Sequence, residues 1–254
     1  GSSMSHDSQR PAGIGPGFQF DTKHRVGVHP PECEWAKPTP PFKQYDNPLA
    51  VIELPEPDRS GGPALFELIA RRRTLRRFSD TPMSLQELSQ LLWAIQGVTG
   101  ETNGYILRTC ASAGALYPND TYLVLNNVEG AGPGIAHYQV REHSLALIKE
   151  GDFRQACVEA CWGQRFCGTA NVVFAWGAVV SRCAQKYGDR SYRYIHLDAG
   201  HLGGQLQLAA IALGMGSVNI GAYIDESVDA LFGLDGQEET VVYLTAVGKP
   251  REAR

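Results

Sequence analysis

Ala64-Leu65-Phe66-Glu67-Leu68-Ile69-Ala70-Arg71-Arg72-Arg73-Thr74-Leu75-Arg76-Arg77-Phe78 joins an apolar run to five arginines within seven positions. Gly61-Gly62-Pro63 ahead of it marks a helix start, and the apolar run carries that helix to about Arg73. Arginine stays charged and presents a planar fork of donors suited to phosphate and carbonyl oxygens. By itself the cluster is compatible with a solvated basic face, the commoner case, or with a local anion site.

Whatever the cluster binds, it acts locally. Lys+Arg number 23 against 27 Asp+Glu, a net charge of −4, so nothing global attracts nucleic acid or a membrane surface. With 43% hydrophobic and 20% charged residues over 254 positions, the chain can build an ample core. No apolar stretch approaches the ~20 residues of a membrane span. The start shows no secretory hydrophobic core, so a cytoplasmic protein is expected, and Gly1-Ser2-Ser3 reads as a cloning remnant. Cys157, Cys161 and Cys167 match neither a paired C-x-x-C zinc site nor a common iron–sulfur spacing. All six cysteines are expected to be free thiols, mostly packed in the core, with no metal.

Residues 1–48 carry many prolines and glycines with no sustained apolar period, which predicts an arm that is partly disordered or wraps the surface. The folded domain is expected over 49–254. Ser84-x-x-Glu87 is a capping-box signature, followed by Leu85, Leu88, Leu91, Leu92 and Ile95 at helical spacing, with Gly97 as the stop. Strands are expected at 121–126, 135–140 and 144–148, the last two as a hairpin, and at 171–180, 216–222 and 240–247. Helices are expected from Asp152 to near Gly163 and over about 192–213. The second carries Gly200, Gly203 and Gly204, each costing ~1 kcal/mol relative to alanine, which points to close backbone packing inside the protein or in a dimer. Helices and strands mingle without a regular βαβ repeat, so the fold class is α+β.

Four further blocks stand in order along the chain: Ser112-Ala113-Gly114-Ala115-Leu116-Tyr117-Pro118; Tyr194-Ile195-His196-Leu197-Asp198-Ala199-Gly200-His201; Leu213 to Ala222; and Val247-Gly248-Lys249-Pro250. Together with the arginine segment they resemble the nitroreductase superfamily of flavin enzymes over about residues 50–250. Within it they look most like the SagB-type dehydrogenases, which oxidise azolines to azoles on ribosomally made peptides. The resemblance implies a homodimer with a central, mostly antiparallel sheet flanked by helices, binding FMN.

FMN needs cations or backbone donors at its phosphate and a positive group near the pyrimidine end that becomes anionic on reduction. By resemblance, Arg72, Arg73 and Thr74 touch phosphate and ribityl oxygens and Arg76 approaches the ring or ribityl chain; threonine replaces the family's serine but keeps the hydroxyl. Ser112 and Gly114 would border the isoalloxazine, with Ala111 where the family has proline. Gly221 and Ala222 fall where the family presents backbone N–H groups to N5. Lys249 and Arg251 fall where basic residues meet phosphate, although a solvated tail explains them nearly as well. The azoline dehydrogenases carry a catalytic Lys-Tyr pair at the place of Lys186-Tyr187. Lysine and tyrosine side chains ordinarily titrate near ~10, so a base role requires a lowered value, and a loop lysine beside a half-buried tyrosine is the plain alternative. His196, Asp198 and His201 are expected to form structural hydrogen bonds. Gly130, Gly132 and Gly134 make no dinucleotide fingerprint, so NAD(P)H, if used, would bind transiently over the flavin.

The reaction expected first is oxidation of a peptide azoline to an azole, with any cyclodehydratase partner a separate protein. A nicotinamide-dependent reductase of nitro compounds or quinones is the alternative. A flavin-free structural subunit of a peptide-modifying complex is a third.

Overall fold

The computed structural model describes residues 9–28 and 32–252. Gly1-Ser2-Ser3 lies outside the described residues. In chain order the elements are α1 (Ile14–Asp21), β1 (Ala50–Glu53), α2 (Leu65–Arg71), α3 (Leu85–Gln96), β2 (Val98–Thr102), β3 (Tyr105–Arg108), β4 (Asn119–Leu125), β5 (Gly134–Gln139) and β6 (Ser144–Glu150). There follow α4 (Arg154–Ala160), α5 (Phe166–Thr169), β7 (Val172–Val179), α6 (Val180–Tyr187), α7 (Ser191–Ala212), β8 (Gly216–Ile220), α8 (Asp225–Phe232) and β9 (Glu239–Gly248).

Seven strands form one sheet in the order β1-β6-β5-β4-β7-β9-β8, every neighbouring pair antiparallel. Side chains alternate across a strand, and here the alternation feeds two cores. Leu123, Leu125, Phe174 and Trp176 pack beneath α3 and α7, while Tyr122, Val124, Val173 and Ala175 pack beneath α4, α5 and α8. β7 is buried along its whole length because both faces are covered, which is why it reads in sequence as a continuous apolar run.

α3 forms where the capping box predicts. Ser84 Oγ accepts from the Glu87 backbone N–H at 3.0 Å, and Glu87 Oε1 accepts from the Ser84 N–H at 3.0 Å. Its buried stripe of Leu88, Leu91, Leu92 and Ile95 is fully inaccessible, each side chain contributing roughly 1.5–3 kcal/mol. A buried polar relay then anchors α3 and α7 to the sheet. Trp176 Nε1 donates to Thr121 Oγ1, Thr121 Oγ1 to Gln96 Oε1, Gln96 Nε2 to the Asn119 carbonyl, and Asn119 Nδ2 to the Ile195 carbonyl, at 2.7–3.2 Å.

Several elements differ from expectation. α2 ends at Arg71, because the chain turns extended at Arg72 (ψ 124°) to run beside β8. The β2–β3 hairpin was not foreseen, although Asn103-Gly104, both with positive φ, is a strong two-residue turn signal. Nor were α6, which turns Lys186-Tyr187 from a loop into a helix end, and α8. Residues of the arm lie against the domain: Arg193 Nη2 donates to the Gln19 carbonyl, Arg182 Nε to the Pro40 carbonyl, and Lys43 Nζ to Glu239 Oε2.

Ser84→Ala removes one of the two capping bonds and should cost about 1 kcal/mol, lowering Tm by roughly 2–4 °C in a chain of this size. Calorimetry checks this; an unchanged Tm would mean that the cap contributes nothing.

Candidate functional site

The arginine segment is held as an extra edge beside β8 and the end of β9. Leu75 N donates to the Ser217 carbonyl and Ser79 N to the Lys249 carbonyl, both at 2.9 Å, and Arg251 N donates to the Arg77 carbonyl at 3.2 Å. Glycine makes this contact close enough. A Cβ at Gly216 would lie 2.3 Å from Leu75 Cδ2, and one at Gly248 would lie 2.7 Å from Phe78 Cδ1. With Leu75 and Phe78 pressed inward, Arg73, Thr74, Arg76 and Arg77 are left exposed and Arg72 half-buried. Among the described residues none of these guanidiniums is in an ion pair. Ser217 Oγ, on the strand that flanks Thr74, is buried without a hydrogen-bond partner. Unpaired cations around an orphaned hydroxyl are a donor set suited to a phosphate-bearing group such as FMN. Lys249 lies in the same region with its ammonium 2.7 Å from Glu87 Oε2, so it is already paired; Arg251 is exposed.

A second group forms around residues 112–118. Ser112 Oγ donates to Asp198 Oδ2 at 2.5 Å and accepts from the Tyr117 N–H at 2.9 Å. The loop is tightly wound, with positive φ at Gly114, Ala115 and Tyr117. Gly114 faces α6 directly: a Cβ there would lie 2.5 Å from Tyr187 Oη and 3.1 Å from Lys186 Nζ. α6 stops at Gly188, whose φ of 58° and ψ of −144° only glycine adopts readily. Tyr187 stacks edge-on with Tyr194 at 4.9 Å between centroids, and Lys186 is exposed. The fold thus brings together Ser112, Gly114, Lys186 and Tyr187, residues up to 75 positions apart.

Asp198, His196 and His201 make the hydrogen bonds expected of them. His201 Nδ1 lies 3.2 Å from the Ala111 carbonyl and His196 Nδ1 2.6 Å from the Tyr192 carbonyl. Burial pushes the Asp198 carboxyl above its ordinary range, against the opposing pull of the Ser112 hydroxyl and the Ala113 N–H.

Gly221 and Ala222 follow β8 and are exposed, Gly221 with open space beside it; the Ala222 carbonyl accepts from Gln164 Nε2 at 2.9 Å. Cys157, Cys161 and Cys167 are buried together with their sulfurs within 4.8 Å of one another. Hydrogen bonding to Cys161 and Cys167, with burial added, holds the Cys157 thiol well above its usual value.

The arginine segment and the Ser112–Tyr187 group stay apart within one chain. Ser112 meets α7 at Asp198, whereas Thr74 pairs with Ser217 on β8, which returns along the C-terminal half of that helix, where Asn219 bonds Gln207. The 14 steps from Asp198 to Ala212 rise about 21 Å. Of the α7 glycines, Gly203 is packed against Tyr243 on β9, while Gly200 and Gly204 face open space beside an exposed Leu197.

Sequence reasoning missed Asp120, Arg182, His137 and Arg108, which sit under this second group. Arg182 Nη1 donates to Asp120 Oδ1 at 2.7 Å, and His137 Nε2 lies 2.9 Å from Asp120 Oδ2. No local pattern announces such a cluster, since its members come from β4, β5, α6 and the end of β3.

Among known proteins, the sequence profile of the Nitroreductase family matches residues 69–249. The chain is 31% identical over 201 residues to a putative nitroreductase of Methanocaldococcus jannaschii, covering 79% of this chain and 97% of that one. A putative nitroreductase structure from Ralstonia eutropha superposes with a TM-score of 0.68 at 26% identity, over 85% of this chain and 100% of that one. One from Anabaena variabilis gives 0.63 at 29% identity over 74% of this chain, which spans only 38% of that longer chain. The E. coli microcin synthetase McbBCD complex shares the fold, with a TM-score of 0.61 at 20% identity over 72% of this chain and 73% of that one. No helix among the described residues is long and apolar enough to cross a membrane.

Asp198→Asn tests the Ser112 relay. A carboxyl raised by burial stabilises the fold in its protonated form, and that contribution is lost as pH rises through its folded pKa. The amide keeps an acceptor for Ser112 without the charge. Asp198→Asn should therefore melt at or above the wild-type temperature at pH 7, with the gain vanishing near pH 4. A Tm lower than wild type at pH 7 but not at pH 4 would mean the charge itself is needed.

Proposed function

This chain belongs to the nitroreductase family of oxidoreductases, and we propose that it is an FMN-dependent dehydrogenase of the SagB type that oxidises peptide azolines to azoles. The observation that carries the reading is the closeness of Lys186 Nζ and Tyr187 Oη to Gly114, 3.1 and 2.5 Å from where a Cβ on it would stand. A loop whose family role is to border the flavin ring lies against the two side chains that could handle a proton. Arg72, Arg73, Thr74 and Arg76 would hold the FMN phosphate and ribityl chain, with Lys249 and Arg251 alongside, and Gly221 and Ala222 would leave N5 approachable.

FMN, when bound, supplies a two-electron hydride acceptor. The residues' own task is the proton. Azoline oxidation removes one hydride and one proton from adjacent ring atoms, and Lys186 or Tyr187 takes that proton. Ser112, fixed between Asp198 and the Tyr117 N–H, keeps the Gly114 turn in register with them. The McbBCD likeness supports the fold alone, but it is compatible with a peptide substrate and a separate cyclodehydratase partner. The alternative is an NAD(P)H-dependent reductase of nitro compounds or quinones, which the M. jannaschii relative's description favours equally.

The separation of the two groups along α7 supports a homodimer, in which one protomer's arginine segment faces its partner's Gly114 turn. Gly200 and Gly204, with nothing beside them, would let the two copies of α7 approach closely.

Arg72→Ala/Arg76→Ala loses two charge-assisted contacts of ~1.5–3 kcal/mol each and should fold but purify colourless. Lys186→Ala should keep its flavin and lack azole formation. Co-folding the two variants gives heterodimers in half of the population, each with one intact composite site, so about one quarter of wild-type turnover should return. Recovery no greater than either parent would rule out a site shared between protomers.

Stopped-flow flavin reduction separates the two reactions. An azoline peptide should reduce the wild-type flavin rapidly and the Lys186→Ala flavin ~10²–10⁴-fold more slowly. Fast reduction by NAD(P)H in both proteins, with no response to the azoline, would establish the reductase instead.

A further inference from the structure

Arg108 ends β3 with its guanidinium buried and without a counter-ion of its own. The residue is 8% exposed, and among the described residues Nε and Nη1 have no hydrogen-bond partner. The ring of Phe42 lies 5.1 Å from its Cζ and that of Tyr117 4.5 Å, cation–π contacts that attract the charge but supply no hydrogen-bond acceptor. Buried polar groups are nearly always paired, and an uncompensated buried charge is among the costliest features a core can hold. The neighbouring acid, Asp120, is already taken by Arg182 and His137. Arg182 also donates to the carbonyls of Pro40 and Tyr117. Burial holds the Arg108 guanidinium below its usual value, to about 10, with the adjacent Arg182 charge acting the same way and Asp120 against it.

This guanidinium borders a cleft of about 380 Å³ between arm residues 39–42, the β2–β3 hairpin and residues 115–117. A second arginine, Arg141, stands at the cleft with its Cζ 4.5 Å from the Phe42 ring. The remaining walls are largely apolar, among them Pro41, Ile106 and Leu116. Ala115 directly follows Gly114 and Gln185 directly precedes Lys186, so the cleft adjoins the turn that meets the Lys-Tyr pair.

We propose that this cleft is a carboxylate-binding subsite, in which a ligand with an apolar body places its anionic group against Arg108, with Arg141 contributing at the rim. One free guanidinium matches one planar carboxylate. The N–H groups of Ala115, Leu116 and Tyr117 at its wall are already given to the Ser112 carbonyl, the Ala113 carbonyl and Ser112 Oγ, which leaves none of them for a phosphate. Carboxylate binding is independent of the reaction proposed above; only the cleft's role as the substrate's anchoring end rests on the reading of Lys186 and Tyr187.

The test is equilibrium binding by calorimetry at low ionic strength, with no turnover required. The probes are benzoate and N-acetylphenylalanine, each against its neutral amide, with inorganic phosphate as a further anion. The acids should bind the wild type with one saturable site, at least tenfold more tightly than the amides and than phosphate. Tighter binding of N-acetylphenylalanine would indicate a peptide C-terminus as the natural source, and tighter binding of benzoate a small acid. Arg108→Met should lose at least tenfold in acid affinity and, having shed an unpaired charge, melt no lower than the wild type without ligand. Arg141→Ala should weaken acid binding several-fold, and serves if Arg108→Met does not fold. Acids binding no better than their amides, phosphate binding as well as the acids, or acid affinity surviving in a folded Arg108→Met protein would overturn the assignment.

Discussion

Asp120 sits at the start of β4, 2.7 Å from Arg182 Nη1 and 2.9 Å from His137 Nε2, with all three side chains nearly inaccessible. Burial alone would push its carboxyl upward; the Arg182 charge and the His137 contact outweigh that and hold it well below the usual carboxylate range. The clasp is the point from which the functional region is oriented. Through Arg182 it fixes the start of α6, the carbonyl of Tyr117 and the arm at Pro40. Because α6 is short, fixing its first turn also fixes Lys186 and Tyr187 about one turn later, against Gly114. Removing one partner of such a buried pair leaves an uncompensated charge, which is why these groups act as a unit.

The arginine segment is positioned by a different constraint, backbone proximity. Leu75 and Phe78 can press against the sheet only because Gly216 and Gly248 present no Cβ there. The backbone bonds from Leu75 to Ser217 and from Ser79 to Lys249 then pin the segment at both ends. Leu75 and Phe78 go inward; Arg76 and Arg77 stay in solvent. Charge is therefore gathered at this edge by the packing of the apolar residues between the arginines.

These two devices meet α7 at different places, near Ile195 through Asn119 and along its C-terminal half through β8. Gly203 serves the protomer, admitting Tyr243, whereas a Cβ at Gly200 or Gly204 would meet nothing within 4 Å among the described residues. In the proposed dimer the open glycines become the contact that brings one protomer's cations to its partner's Gly114 turn. The arm has a comparable part on the other side, where Phe42 covers Arg108 and forms one wall of the cleft.

Much of the architecture could be read directly from the residues. The capping box at Ser84 and Glu87, the helical stripe after it, the buried run of β7 and the α+β class all follow from local periodicity and capping chemistry, which operate over a few neighbouring residues. The ordered blocks likewise pointed to the family. The helical reading of Arg72 and Arg73 failed because pairing with β8, more than a hundred residues away, outweighed a local helix preference. The Asn103-Gly104 turn between β2 and β3 carries its signal in two adjacent residues. Other features had no local trace. The contact of Gly114 with Lys186 and Tyr187, the meeting of three thiols, the Asp120 clasp and the unpaired guanidinium of Arg108 each depend on burial and on groups drawn from distant segments. Sequence determined which side chains were available and which local elements they favoured. Only the packed sheet decided which charges are paired and which are left without a partner, because pairing and desolvation are set by distances that exist only after the chain has folded.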